Sequence, residues 1–483
     1  ADELIKVAAE RALRKGEVIK PADGLYNEFC ARFPYSETDD QLNAIGDVIE
    51  DLSSGRPMDR LICGDVGFGK TEIALRTAFL AVMEGFQIAI VAPTTLLARQ
   101  HYKTFLERFR GFNIKVGHLS RLVTAKEQKL TKEELLGQSL FFDESLSLNS
   151  NQSCATCHNP EKAFIDSRNN GVLSMASLGD DLKSLGDRQA PTITYAKYSP
   201  KFYYDKKKKK NIGGQFWDGR AATLKDQAGG PFLNPIEMNM PSKEAVIKRI
   251  SLNEYHVNEF KSIYGNHIFD DVNKAYEALT KAIESYEKTK EFSTFDSKYD
   301  KFLKGEYDLT VLEDLGRTIF FSNNNNSCAS CHVLKGEDKA YETFTNYEYH
   351  NIGTPENRFL RSKNNVQQKD LGLYNHVKDF NEIEKQKGKY KVPTLRNVAV
   401  TEPYMHNGVF KDLKTVVLFY DKYNNKNRTI NPETSVEWNE PEVKDNISLD
   451  ELKAKRLSDR KVDALVAFMK ILTDERYEHL LEK

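Results

Sequence analysis

Cys154-Ala-Thr-Cys157-His158 and Cys328-Ala-Ser-Cys331-His332 decide how this chain is read. Each has the form C-x-x-C-H, in which two thiols add to the vinyl groups of a haem and the adjacent imidazole becomes an iron ligand. A single C-x-x-C also suits a zinc knuckle or a redox pair. Here the full pattern occurs twice, and in matching surroundings. Gly137-Gln-Ser-Leu-Phe-Phe142 precedes the first copy and Gly316-Arg-Thr-Ile-Phe-Phe321 the second, each separated from its cysteines by a polar, Asn/Ser-rich loop. A helix presenting a Phe-Phe pair, a loop and a haem site form one unit used twice. Two covalently bound haem c groups are expected, one on Cys154, Cys157 and His158, the other on Cys328, Cys331 and His332.

The 483 residues leave room for two to four domains, each with its own core. With 70 basic against 71 acidic residues, the charge balance gives no global reason for nucleic-acid or membrane binding. No apolar run approaches the roughly 20 residues of a spanning helix. Four of the six cysteines are the haem thiols. Cys30 and Cys63 lie far apart and suggest no disulfide framework. The lysine run 206–210 reads as a solvated loop, with a docking patch for an acidic electron donor as the alternative. The asparagine tract 323–326 reads as a loop.

From Thr131 onward the pattern is mainly helical. Thr131-x-x-Glu134 is a capping box. Segment 270–290 places Val272, Ala275, Tyr276, Leu279, Ile283 and Tyr286 on one face, and 308–321 and 458–473 read the same way. Long Gly/Pro/Asn-rich loops separate these helices, as expected where a large cofactor supplies much of each core. The expected fold is a mainly α pair of cytochrome c-like domains, 130–305 and 306–483.

Residues 1–129 are of another class, a truncated α/β P-loop segment. Leu61-Ile-Cys-Gly64 reads as an apolar strand feeding Gly64-Asp-Val-Gly-Phe-Gly69-Lys70-Thr71, the full G-x-x-x-x-G-K-[ST] pattern. Its glycines, Gly64 and Gly69 among them, let backbone N–H groups wrap phosphate oxygens; Lys70 would reach the β/γ-phosphates and Thr71 would hold magnesium. A helix with Ile73, Ala74, Ala78, Phe79 and Val82 on its apolar face should follow, then a buried strand over 88–93.

Phe33-Pro-Tyr-Ser-Glu-Thr-Asp-Asp-Gln41, Met58-Asp-Arg-Leu-Ile-Cys-Gly-Asp-Val-Gly-Phe-Gly-Lys-Thr-Glu72, Ala92-Pro-Thr-Thr-Leu-Leu-Ala98 and Ser120-Arg-Leu-Val-Thr-Ala-Lys-Glu-Gln128 resemble the translocase module of transcription-repair coupling factor, an ATP-driven DNA translocase with RecA-like lobes. The resemblance stops near Lys129. No D-E-x-[HQ] segment or second lobe with its arginine finger follows, and phosphoryl transfer needs those charges. Weak ATP/Mg binding at 64–71 is therefore expected, without hydrolysis or functional nucleic-acid binding.

From about Leu130 to the C-terminus the chain resembles the bacterial dihaem cytochrome c peroxidase and MauG superfamily. Besides the haem motifs, Asp187-Arg-Gln-Ala-Pro-Thr192, Phe216-Trp-Asp-Gly-Arg220, Asn234-Pro-Ile-Glu-Met238, Val392-Pro-Thr-Leu-Arg-Asn397 and Thr401-Glu-Pro-Tyr-Met-His-Asn-Gly408 appear in the family's order. The resemblance implies a periplasmic oxidoreductase that reduces hydrogen peroxide. Its electrons would come from a small cytochrome c or cupredoxin, or, in the MauG-like alternative, from a protein or organic substrate. A dihaem electron carrier without catalysis is a third reading. By resemblance, Trp217 relays electrons between the haems and Glu237 acts as acid/base at the first. The alternatives are a core tryptophan and a carboxylate that caps or pairs with Arg220.

No histidine occurs between His158 and His256, so the first iron is expected to keep an open site. In 412–420, where the peroxidases carry a methionine ligand for the second iron, stands Tyr420, as in MauG-type enzymes; Met405 and His406 are its rivals. The resemblance further implies calcium between the domains. Thr401 and Pro403 offer backbone oxygens, and Gln189 stands where asparagine is usual. The two resemblances belong to different compartments, and the opening Ala1-Asp-Glu-Leu-Ile-Lys6 carries no export signal. A chimera with its junction near Lys129 is the expectation.

Overall fold

The computed structural model describes residues 14–21, 24–65, 69–92, 95–109, 112, 114, 116–117, 130–322, 328–336, 341–377 and 382–482. Residues 1–6, the middle of the phosphate loop (66–68), residues 93–94, the string 120–128, the junction at 129 and the asparagine tract 323–326 lie outside them. The chain divides into two compact units, 1–128 and 129–483.

The first unit carries helices α1 (Leu25–Ala31), α2 (Asp39–Ser53), α3 (Lys70–Met83) and α4 (Thr95–Arg108). Thr38 and Gln41 form a capping box that starts α2. Phe29, Phe79, Phe105, Phe109 and Phe112 make a small aromatic core. Ala74, expected on the buried face of α3, is exposed; Leu75, Leu80 and Ala81 are buried instead. The two expected strands do not form, and among the described residues of this unit there is no strand. Leu61 is 86% exposed and Val91 93%. A parallel strand is held by neighbours on both edges and covered on both faces; two short candidates without further strands have neither.

In the second unit, α5 (Lys132–Phe141) crosses α8 (Val272–Glu287), and α10 (Val311–Phe321) crosses α13 (Asp459–Lys470). Between them in sequence lie α6 (Cys154–Cys157), α7 (Leu224–Leu233), α9 (Lys298–Leu303), α11 (Cys328–Cys331) and α12 (Leu413–Asp421). Thr131 and Glu134 form the expected capping box of α5.

The two crossings are built alike. A methyl group on Gly137 would overlap the carbonyl of Ala282, and one on Gly316 the carbonyl of Ala464. Only glycine lets the backbones approach this closely. One turn further on, Phe141 packs edge-on against Tyr286 at 5.4 Å, and Phe320 lies 5.2 Å from Phe468. The first core gathers residues from Leu136 to Phe292, the second from Tyr299 of α9 to Leu472. The buried Arg396 guanidinium donates to both carboxylate oxygens of Asp300, at 2.6 and 3.0 Å, and ties α9 to the loop before α12.

Strands are few. β1 (Tyr203–Asp205) and β2 (Lys210–Ile212) form a hairpin whose turn is the lysine run. Asp205 accepts from Lys207 N and Lys208 N, and Lys210 pairs with Glu348 at 2.7 Å. β3 (Tyr349–His350) pairs antiparallel with β4 (Tyr390–Lys391). Among the described residues no helix is long and apolar enough to cross a membrane.

Candidate active site

One interior cavity of about 680 Å³ is lined by Cys154, Cys157 and His158 and also by Cys328, Cys331 and His332. Each cysteine pair sits on a single helical turn, α6 or α11, so both thiols face the same side. Each histidine is held by the carbonyl of a phenylalanine. His158 Nδ1 meets the carbonyl of Phe164 at 3.0 Å, and His332 Nδ1 that of Phe344 at 3.1 Å. That bond makes Nδ1 the protonated nitrogen and leaves Nε2 as the basic one, the arrangement a metal-binding imidazole needs. Burial pushes both imidazoles toward the neutral form, His332 down to about 4.

Phe164 and Phe344 were not singled out from sequence. Both have φ near +55° (56° and 55°), which turns the carbonyl toward the histidine. Phe164 also packs on Phe141 and Phe344 on Phe320. The helix–loop–haem repeat thus closes through these two rings.

Lys391 is the strongest sign of what the cavity takes. It lines the cavity beside Trp217 and Asp218, and its ammonium donates to the carbonyl of Gly214. Among the described residues no carboxylate lies within ion-pair distance of it, and burial pushes it down to about 7. Asp218 pulls the other way but makes no ion pair with it, and a desolvated ammonium without a close anion is costly. A haem, which carries carboxylates, fits that need. The thiols, the free imidazole nitrogens and this cation together suit haem at both motifs.

Trp217, Glu237 and Tyr420 all line the same cavity. The Trp217 indole donates to the carbonyl of Gln189 at 2.9 Å, and its own carbonyl accepts from Lys391 N at 2.9 Å. Gln189 N in turn donates to the carbonyl of His406. The tryptophan is therefore fixed by segments from both halves of the unit. Arg188 reinforces this junction with ion pairs to Asp218 and Asp370, each at 2.6 Å.

Glu237 follows α7 in the turn begun by Asn234. Burial raises its carboxyl, against the pull of Arg220 and Asn234. Arg220 itself pairs with Asp218 at 3.1 Å and lies over the Phe216 ring. Tyr420 sits on the cavity side of α12; burial and the sulfurs of Cys331 and Cys328 raise its phenol. Its rivals line the same cavity: His406 stacks on Tyr390 at 3.6 Å and has Nε2 4.0 Å from Asp370, and Met405 packs against the second core. Gln189, Thr401 and Pro403 also line the cavity.

His256 lies elsewhere, its Nε2 2.9 Å from Ser139 Oγ in a separate surface pocket. Lys70 Nζ bonds the carbonyls of Gly64 and Asp65, the loop's own backbone.

A model of the di-haem cytochrome c peroxidase family matches residues 131–308. Over 368 residues the chain is 47% identical to the methylamine utilization protein MauG of Paracoccus denitrificans, covering 74% of this chain and 94% of that protein. The chain belongs to the di-haem cytochrome c peroxidase family. Among solved structures it is similar to the diheme peroxidase BthA of Burkholderia thailandensis, with 28% identity, a TM-score of 0.66, and coverage of 75% of this chain and 92% of that one. A MauG-like protein associated with microbial copper homeostasis shares the fold at a TM-score of 0.53 and 24% identity, over 76% of this chain and 96% of that one. This di-haem family member is an oxidoreductase. Its N-terminal part matches the DEAD/DEAH box helicase model over residues 38–143. It is 51% identical over 131 residues to the transcription-repair-coupling factor of Bacillus subtilis, of which it spans only 11%.

Glu287 of α8 adds a pH dependence. Its side chain lines the cavity, one oxygen has no hydrogen-bond partner among the described residues, and burial pushes its carboxyl up to about 8. A raised folded-state value favours folding while the group is protonated. The contribution is complete below about 4.5, the ordinary carboxyl value, and falls as pH rises through about 8. Glu287→Gln should therefore flatten the loss of melting temperature as pH rises from about 4.5 to about 8, checked by thermal melts of both proteins across that range.

Proposed function

We propose that the chain uses two haem c groups to reduce hydrogen peroxide, with electrons from a small cytochrome c or cupredoxin. The observation that carries this reading is the single cavity faced by both attachment motifs, with Glu237 and Trp217 in its wall. When bound, haem supplies the iron at which peroxide is reduced and the centre that stores electrons. Cys154, Cys157 and His158 would hold the first group, and Cys328, Cys331, His332 and Tyr420 the second. Lys391 would anchor a haem carboxylate. Glu237 takes the proton from one peroxide oxygen and returns it to the leaving oxygen, a role a carboxyl raised by burial suits. Trp217, held at both its indole N–H and its carbonyl, gives a fixed aromatic step between the two groups.

Tyr420 favours a second reading, a MauG-like oxidase acting on a protein or organic substrate. A phenolate is a hard anionic ligand that favours ferric iron and lowers its potential. The chain's similarity to MauG supports a periplasmic location for the haem-bearing part. A calcium ion at Gln189, Thr401 and Pro403 would receive only neutral oxygens from these three, so water would complete its shell. ATP at 64–71 would have to displace the loop carbonyls now holding Lys70, which makes binding weak.

The test is the electron paramagnetic resonance spectrum of the haem-loaded protein. One high-spin and one low-spin ferric signal are expected, with Tyr420→Met altering the low-spin signal alone. Two low-spin signals would sink the ligand assignment.

A further inference from the structure

An aromatic group leads from the shared cavity to the surface. Tyr195 lines the cavity and is 1% exposed. Its ring contacts Phe295 at 4.8 Å and Tyr198 at 6.4 Å. Tyr198 and Phe295 both contact Tyr341, at 4.5 and 5.5 Å, and Tyr341 is 41% exposed. On the inner side the Arg396 guanidinium lies 5.5 Å from both the Tyr195 and Phe344 rings. Phe344 is the residue whose carbonyl holds His332. The Arg396 charge is met by Asp300.

The hydroxyl of Tyr195 is equipped to lose its proton. It donates to Asp474 Oδ1 at 2.6 Å and accepts from Phe295 N at 3.1 Å. Asp474 is held in place by Asn397, which donates to Oδ2 and accepts from Asp474 N, both at 2.8 Å. Burial raises the Asp474 carboxyl to about 6, a better proton acceptor than an exposed aspartate yet still ionised at neutral pH. Oxidising a buried phenol without a proton acceptor would leave a desolvated cation. Here the proton has a carboxylate to go to, and the Phe295 N–H remains to bond the neutral oxygen.

We propose that Tyr195, Tyr198 and Tyr341 carry oxidising equivalents from the cavity to the surface, with Asp474 as the proton acceptor of Tyr195. The relay rests on the peroxide chemistry proposed above. Tyr195 would give one electron to a haem that hydrogen peroxide has oxidised while its hydroxyl proton passes to Asp474, leaving a neutral tyrosyl radical. Tyr195 recovers its electron outward through the other rings and its proton from Asp474. Tyr341, losing its proton to water, becomes the exposed radical. An external one-electron donor with a proton restores it. Two such electrons and two protons convert one hydrogen peroxide to two waters.

The experiment uses the full chain with both haems attached, hydrogen peroxide, and a nitroso spin trap, with adducts located by peptide mass spectrometry and haem absorption followed in parallel. Wild type should carry the adduct on Tyr341 and not on Tyr255, which is 48% exposed but outside the aromatic group. Tyr195→Phe should reduce the Tyr341 adduct to the level seen without peroxide, while the haem absorption still responds. Equal labelling of Tyr341 in that variant, or of Tyr255 in wild type, would overturn the relay and leave the peroxidase reading standing. Should Tyr195→Phe not accumulate with haem, Tyr341→Phe decides: an adduct appearing on Tyr198 supports the relay, and none there overturns it. Absent any haem response to peroxide in wild type, the peroxidase reading fails and the relay with it.

Discussion

Glu237→Gln is expected to slow the reaction of the haem-loaded protein with hydrogen peroxide by about 10²–10⁴-fold, the range a positioned acid/base contributes. The amide keeps the side chain's size and can still donate a hydrogen bond, but it cannot take a proton and return it. Both haems should remain attached, and the visible spectrum of the resting protein should match wild type. Stopped-flow absorption with excess peroxide measures the effect. A rate within a few-fold of wild type would make Glu237 a structural carboxylate. Arg220, the pairing partner such a carboxylate would use, is engaged with Asp218 and the Phe216 ring, while Asn234 bonds the carboxyl.

Gly137→Ala and Gly316→Ala should each destabilise the second unit by about 3 kcal/mol or more, the upper end for overpacking a close contact. The added methyl meets a carbonyl of the partner helix in each case, Ala282 or Ala464, so no side-chain rotation relieves it. The helices must separate. That separation also moves Phe141 or Phe320 off the rings that carry Phe164 and Phe344, whose carbonyls orient His158 and His332. Chemical denaturation of the matured proteins, read by circular dichroism, checks the stability loss. Variants as stable as wild type would show that the helices are free to move apart. Exposed Gly230 of α7, whose Cβ position meets only the Phe216 ring at 3.6 Å, gives a background control.

Much of the second unit was legible because its signals are local or repeated. The capping box at Thr131, the apolar face of α8 and the paired Gly-x-x-x-Phe-Phe strings each report a helix and the face it buries. The haem motifs specify residue type and spacing together. Phe164 and Phe344 were not legible: one lies six residues beyond its histidine and the other twelve, so the repeat loses register between motif and carbonyl. What makes them equivalent is backbone conformation and a ring contact, neither of which a residue pattern displays. Lys391 escaped for a related reason. A lysine reads as a surface residue until the fold is seen to close around it.

The first unit failed in the opposite direction. Leu61-Ile-Cys-Gly64 and 88–93 have the composition of buried strands, and in a complete lobe other strands would flank them. Strand formation is a property of a sheet rather than of a segment. Without partners, the same residues stand exposed, Leu61 and Val91 most of all. The α2 helix survives because its capping box acts within the segment, and α3 because it packs on α1 through the Phe29–Phe79 stack, with centroids 4.3 Å apart.

The central claim is that iron porphyrin is thioether-bound at both motifs. The intact mass of the chain, exported and matured in a host that attaches c-type haem, tests it most directly. A gain of two haem masses is predicted, falling to one when Cys154 and Cys157 are both changed to alanine. A matured protein with no covalent gain, or with one haem that survives that double change alone, would contradict it.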